Sequence, residues 1–284
     1  MDYRQIVWVA SYPKSGNTWF RCFLDAYLLG EVDINEIVTS LPDDLAARCA
    51  VGDGSNATDF PIDIQMLTRP MAMLRLVREY VASKTVDLPL FVKTHNTHVI
   101  ANGVEMMPEC LTKGTIYLVR DPRDVLMSFA KHMGQDDYDV VIGYFLNKMR
   151  CLNDGGGVKM MDFISSWPEA VKSFANADTH NVKVFRYEDM KADPVKAFSG
   201  MLEHAGVAVE ASRVKAAVDM VSIARLADQE KKKGFGESSK HAKHQFFGGT
   251  PKWQEVLTPK QVRTIEKACA SMMKRYGYRM TYDH

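Results

Sequence analysis

Ile6-Val7-Trp8-Val9-Ala10-Ser11-Tyr12-Pro13-Lys14-Ser15-Gly16-Asn17-Thr18-Trp19 is the stretch that decides the fold. Its apolar start reads as a strand buried on both faces. The strand runs into a turn of small and hydroxylic residues. Beyond the turn, Phe20, Cys22, Phe23, Leu24, Tyr27 and Leu28 recur at helical spacing. This layout gathers backbone N–H groups and the positive end of a helix around a small pocket, a site for a phosphate-like anion. Lys14 adds a full charge, the hydroxyls of Ser15 and Thr18 can donate further bonds, and Trp19 offers a flat face suited to a purine. The loop is not a Walker A motif, whose lysine follows the second glycine; here Lys14 precedes Gly16. A plain strand–turn–helix connection, with Gly16 merely permitting the bend, would carry the same residues.

Working outward, strands are expected over Ile6–Tyr12, Pro89–Thr94, Thr115–Arg120 and Val182–Tyr187. Helical patterns fall between and after them: Asn17–Leu29, Met66–Ser83, Pro122–His132, Asp137–Met149, Trp167–Asn176, Pro194–Ala205, and a last helix opened by Thr258-Pro259. Alternating strands and helices predict an α/β fold, a central parallel sheet flanked by helices, with ligands at the carboxyl ends of the strands. There are no internal repeats, so one domain over 1–284 is expected, with irregular, variable segments at about 31–63, 133–157 and 229–252.

The chain has 284 residues, 46% hydrophobic and 25% charged, with a net charge of +1. That balance argues against bulk attraction to nucleic acid or membrane. No apolar run approaches a membrane span of roughly 20 residues, and the short apolar start is not a signal peptide. Cys22, Cys49, Cys110, Cys151 and Cys269 are scattered without a CxxC pair, which fits a reducing, cytoplasmic location and no metal site. Cys22 falls on the apolar face of the first helix and is expected in the core.

Two further constellations stand at strand ends. In Arg120-Asp121-Pro122-Arg123-Asp124-Val125-Leu126-Met127-Ser128, Arg120 ends a strand and Ser128 lies nearly two turns into the following helix. A guanidinium fork and a hydroxyl make a second anion site, although Arg120 could equally pair with Asp121 or Asp124. Lys93-Thr94-His95 ends another strand. His95 would point into the crevice with a pKa suited to taking a proton, and Lys93 shares its face. His98 competes with His95 but lies beyond the strand.

Together these pieces resemble the cytosolic-type sulfotransferase family, which uses 3′-phosphoadenosine 5′-phosphosulfate (PAPS) on a P-loop-NTPase-like fold. Tyr-Pro-Lys-Ser-Gly-Asn-Thr-Trp is similar to its 5′-phosphosulfate loop, Arg120 to Ser128 to its 3′-phosphate site, and Lys-Thr-His to its catalytic segment. Arg186-Tyr187-Glu188-Asp189 resembles the segment whose tyrosine borders adenine. The likeness runs in order from Ala10 to about Thr258, and Trp8–Cys22 particularly resembles bacterial members that sulfate natural products. The resemblance implies sulfuryl transfer from PAPS to a small-molecule hydroxyl or amine, releasing adenosine 3′,5′-bisphosphate (PAP), without a metal. It implies His95 as base, Lys14 on the departing phosphate and Lys93 steadying the sulfuryl oxygens. Ser15, Gly16, Asn17 and Thr18 would cradle the 5′-phosphate, Trp19 and Tyr187 would border adenine, and Arg120 and Ser128 would bind the 3′-phosphate. Gly248 falls in register with a glycine of the family's late Arg-Lys-Gly segment.

The Arg-Lys pair itself is missing before Gly248-Gly249. Lys231, Lys232, Lys233, Lys240 and Lys243 are the nearest upstream cations and are expected to compensate or else to be a solvated loop. The family's dimer signature is broken at Gln254, Pro259 and Arg263, so the oligomeric state is left open. The acidity of 31–63, with Asp136 and Asp137, motivates a cationic acceptor; a solvated acidic loop would look the same. Phe60, Tyr80, Tyr138, Tyr144 and Phe145 could line the acceptor pocket or be core. Two rival readings stand beside the transferase. A nucleotide-dependent small-molecule kinase would need a Mg²⁺ carboxylate, for which Asp121 and Asp189 are the candidates. A non-catalytic PAP sensor could dispense with His95 and Lys93.

Overall fold

The computed structural model describes residues 3–37, 73–74, 77–78, 81–82, 88–101, 103–152, 162–238 and 245–282. Most of the expected helix Met66–Ser83 lies outside them, although 73–74, 77–78 and 81–82 are helical. Phe60, Tyr80, Lys240, Lys243, Cys49 and most of 31–63 also lie outside.

The central sheet has four strands: β1 (Ile6–Ser11), β2 (Leu90–Thr94), β5 (Thr112–Val119) and β8 (Val182–Arg186), in the order β2-β1-β5-β8. Every pairing is parallel. Between them lie two short antiparallel ribbons that the sequence pattern did not reveal: β3 (Ile100–Ala101) with β4 (Val104–Glu105), and β6 (Cys151–Leu152) with β7 (Asp162–Phe163). Two-residue strands are too short to show alternation.

β1 is buried along its whole length because both faces are covered. Trp8 and Ala10 face a core shared with Tyr117, Trp167 and Phe174, while Val7 and Val9 face another built on Phe20, Phe23, Phe198 and Leu202. The helix Asn17–Leu29 follows β1 and ends on Gly30 in the left-handed region (φ 82°). Cys22 is wholly buried on it.

The helix Pro122–Met133 follows β5 and is capped by Asp121, whose carboxylate accepts from the Arg123 N–H. The expected helix 137–149 is shorter, Tyr138–Phe145, and Asp137 is its cap. That role accounts for one acid of the supposed acceptor lid. Phe145 is fully buried, edge-on to Tyr12 at 5.5 Å, and is core. The segment 229–252 is less irregular than expected, because the helix Ile223–Lys233 runs into it. The last helix, Pro259–Arg275, opens with a Thr258–Gln261 capping box and proline in its first turn.

A buried ionic knot ties this last helix to the start of the Pro122–Met133 helix. Arg123 bonds Asp121 and Glu266, each at 2.6 Å, and Glu266 also accepts from the backbone N–H groups of Thr281 and Tyr282. Arg123 lies over the Trp253 ring at 4.2 Å. Breaking a buried pair typically costs about 3–5 kcal/mol. Glu266→Ala should therefore lower the urea midpoint by a matching amount at unchanged slope. An unaltered midpoint would show that the knot contributes nothing to stability. Among the described residues no helix is long and apolar enough to cross a membrane.

Candidate active site

The carboxyl ends of β1, β2, β5 and β8 bring the three sequence constellations together. Tyr12 to Gly16 turns out of β1, and the turn is bent hard. Lys14 has φ 71° without being glycine, a conformation costly for most residues and frequent at functional sites. Gly16 has φ 99°, and a Cβ there would come within 2.7 Å of the Tyr187 ring. Only glycine meets both demands. Tyr187 thus seats the loop from below, and the Arg120 guanidinium lies over the same ring at 4.5 Å. Arg120 Nη1 also donates to the Lys14 carbonyl at 3.1 Å, so the second anion cluster is bonded directly to the first.

Ser15 is fully buried, and its hydroxyl and the Arg120 Nε have no hydrogen-bond partner among the described residues. Buried polar atoms left this way are costly unless a ligand or water completes them. An anion in the loop would satisfy both. Burial, foremost, lowers the Lys14 ammonium to about 7; Glu237 opposes, while Lys131, Arg120 and Lys93 repel in the same sense.

The Asn17 side chain braces the loop against β1. Its Nδ2 donates to the Val9 carbonyl (2.8 Å) and to Ser11 Oγ (3.3 Å). Its contribution to an anion reduces to its backbone N–H. Trp19 is only 8% exposed; its N–H donates to the Val221 carbonyl at 2.9 Å and its ring meets Tyr187 and Phe198 edge-on. It is chiefly a core residue behind the loop. Ser128 is half-buried on the Pro122–Met133 helix, as Arg120 is at the end of β5.

His95 follows β2 directly. Its Nδ1 lies 2.9 Å from the Ser11 carbonyl, which can only accept, so Nδ1 carries the proton and Nε2 is the basic nitrogen. Ser11 Oγ lies 3.3 Å from the same Nδ1. Asn17, Ser11 and His95 thus form one chain from the anion loop to the imidazole. Burial, then the Lys93 charge, lowers the His95 pKa to about 4, against the opposing pull of Asp162 and the Ser11 bond. The imidazole is therefore neutral at neutral pH. Asn96 fixes the segment: it bonds Asp162 and Thr94, and accepts from the Phe163 N–H at 2.9 Å. His98 is occupied elsewhere. His180 gives its Nε2–H to the Met107 carbonyl (2.7 Å), which leaves its Nδ1 to accept from His98 Nε2–H at 3.1 Å.

The largest surprise is Glu237. Its carboxylate accepts from Thr18 Oγ1 (3.1 Å) and Arg21 Nη1 (2.7 Å) and lies 3.4 Å from Lys93 Nζ. Burial pushes this carboxyl up, but Lys93, Arg21 and the hydrogen bonds of Arg21 and Thr18 outweigh it and hold it near 2. Nothing in the sequence signals this, since Thr18 and Glu237 lie 219 positions apart. A carboxyl lowered by folding stabilises the fold fully above its unfolded pKa of 4.5, and that contribution is lost as pH falls toward about 2. Glu237→Gln should flatten the acid limb of stability between those values. Urea melts at pH 3 and pH 6 read this; an unchanged difference between them would refute it.

Of the upstream lysines, Lys240 and Lys243 lie outside the described residues, and two others pair with carboxylates. Lys232 pairs with Asp228 at 2.7 Å and Lys233 with Asp33 at 2.5 Å, both on the surface. Asp121, a candidate metal ligand, has both oxygens taken by Arg123. Among the described residues no group of three or more His, Cys, Asp or Glu is placed to hold a metal ion.

Comparison with known proteins identifies the family. The profile of the sulfotransferase domain matches residues 4–277. Cytosolic sulfotransferase 17 of Arabidopsis thaliana is 24% identical, over 95% of this chain and 75% of that protein. Luciferin sulfotransferase of Photinus pyralis is 28% identical, over 65% of this chain and 46% of that protein. A mouse sulfotransferase complexed with PAP shares the fold at TM-score 0.59 and 17% identity, over 95% of this chain and 85% of that one. A loop bent at Lys14 and Gly16, a neutral imidazole beside it and a domain profile spanning nearly every residue lead to one family: the chain is a sulfotransferase.

Proposed function

We propose that the chain moves the sulfuryl group of PAPS to a hydroxyl or amine of a small-molecule acceptor and releases PAP. The observation that carries this reading is the bond from His95 Nδ1–H to the Ser11 carbonyl, which leaves a neutral, basic Nε2 beside Lys93 and the Lys14 loop. The backbone N–H groups of Ser15 to Thr18, with the Ser15 hydroxyl, cradle the 5′-phosphate; the Thr18 hydroxyl donates to Glu237. Arg120 and Ser128 take the 3′-phosphate, and Tyr187, with Trp19 packed against it, borders adenine.

Sulfuryl transfer resembles phosphoryl transfer: an acceptor atom attacks sulfur in line with the departing phosphate oxygen, and the enzyme mainly positions groups and stabilises moving charge. His95 Nε2 takes the acceptor's proton. Lys14 meets the charge growing on the bridging oxygen, and Lys93 steadies the sulfuryl oxygens. The variable segments 31–63 and 133–157, of which 38–63 and 153–157 lie outside the described residues, are the candidates for choosing the acceptor. Asp33 and Asp137 are committed to Lys233 and to a helix cap, which weakens the case for a cationic acceptor. A natural-product acceptor follows from the likeness of Trp8–Cys22 to bacterial members, and a cytoplasmic location from the cytosolic relative.

The kinase reading loses its best metal carboxylate to Arg123. The sensor reading leaves the arrangement of His95 without a purpose. Incubation with PAPS and a panel of phenols, alcohols and amines, followed by mass detection, separates the three. An acceptor heavier by one sulfonate supports the transferase; PAP binding without any transfer supports the sensor, and transfer from ATP alone supports the kinase.

A further inference from the structure

The absent Arg-Lys pair leaves the 3′-phosphate end short of charge, and a cation from another part of the chain stands at that place. Lys131 is on the Pro122–Met133 helix, three residues beyond Ser128, so the two side chains share a face. Its ammonium donates to the carbonyls of Gly248 (3.0 Å), the glycine in register with the missing segment, and Gly249 (3.1 Å). A Cβ on Gly248 would meet this ammonium at 3.4 Å. The turn is held from its other side by Glu230, which accepts from the Phe246 and Phe247 N–H groups. Phe246 in turn lies under Lys14 Nζ at 3.6 Å. Lys131 is therefore fixed on the Gly248 turn, one helical turn from Ser128, and Phe246 of that turn meets Lys14.

An ammonium has three N–H donors, and the two carbonyls take two of them. Carbonyl bonds leave its full positive charge in place. Resting on the PAPS reading above, we propose that Lys131 supplies the cation at the 3′-phosphate that the missing Arg-Lys pair would otherwise have given. Arg120 at the end of β5, with Ser128 and Lys131 on the helix that follows, then provides the 3′-phosphate site, and the Gly248 turn serves as its backstop. Lys131 then acts with Arg120 and Ser128 to discriminate PAP from nucleotides lacking a 3′-phosphate.

Calorimetry with PAP and with 5′-AMP tests this on the wild type, Lys131→Met and Lys131→Arg. A lost charge-assisted contact corresponds to about a tenfold or larger change in affinity. Lys131→Met should weaken PAP at least about tenfold and leave 5′-AMP within about twofold, while Lys131→Arg keeps the preference. Equal loss for both nucleotides would overturn the proposal and make Lys131 a clamp on the Gly248 turn only. Unchanged PAP binding would overturn it outright. Wild-type protein that binds neither nucleotide would overturn the PAPS reading itself, and this inference with it. Should Lys131→Met fail to fold, Lys131→Gln gives the same comparison with a polar side chain.

Discussion

Replacing His95 by alanine is expected to remove about 10²–10⁴-fold of the turnover while leaving PAP affinity within about twofold. The separation follows from geometry. His95 contacts Ser11 through Nδ1 and reaches the nucleotide loop only through the Asn17–Ser11 chain. Its Nε2 is the nitrogen free of that bond, and a proton acceptor is what the alanine variant lacks. The pH profile carries the same information. A base lowered to about 4 stays neutral far below the ordinary imidazole value, so kcat/KM should hold level through pH 6 and fall only toward pH 4. The alanine variant's residual rate should lose that acid limb. A variant with undiminished turnover, or a wild-type limb near pH 6.5, would assign the proton transfer to another group.

The second large effect is expected at Lys14. Removing a charge aimed at a developing oxyanion typically costs about 10²–10³-fold in rate, and Lys14→Met should lose at least that. Lys14 also titrates within the working range, since burial brings it to about 7. A dianion in the loop favours its charged form, so PAP binding should take up a proton above that pH and weaken as pH rises. Calorimetry in buffers of different ionisation enthalpy reads the proton directly. Lys14→Arg, whose guanidinium does not titrate, should abolish the uptake. Uptake that persists in the arginine variant would place the titrating group elsewhere.

The sheet and the three strand-end constellations were legible in the sequence because each depends on neighbours within a few residues. A continuous apolar run, a left-handed glycine and a proline at a helix start are local signals, and Asn17–Leu29 and Pro194–Ala205 have the bounds expected for them. The site's finer chemistry was not legible because it is made by distant segments. Asn17 looks like a phosphate ligand in a motif, yet β1 takes up its side-chain donors. Glu237 sits in a lysine-rich stretch and reads as a solvated acid until Thr18, Arg21 and Lys93 are seen around it. Lys232 and Lys233 looked available and are paired on the surface, whereas Lys131, which no motif marks, meets the Gly248 turn. Charge counts along the chain cannot tell these cases apart; only tertiary placement does.

A crystal structure of the protein with PAP tests the central claim most directly. The account predicts the 5′-phosphate against the N–H groups of Lys14 to Trp19 and the 3′-phosphate on Arg120 and Ser128, with His95 Nε2 facing the open side of the 5′-phosphate. A nucleotide bound in the reverse sense, or away from the Lys14 loop, would contradict it.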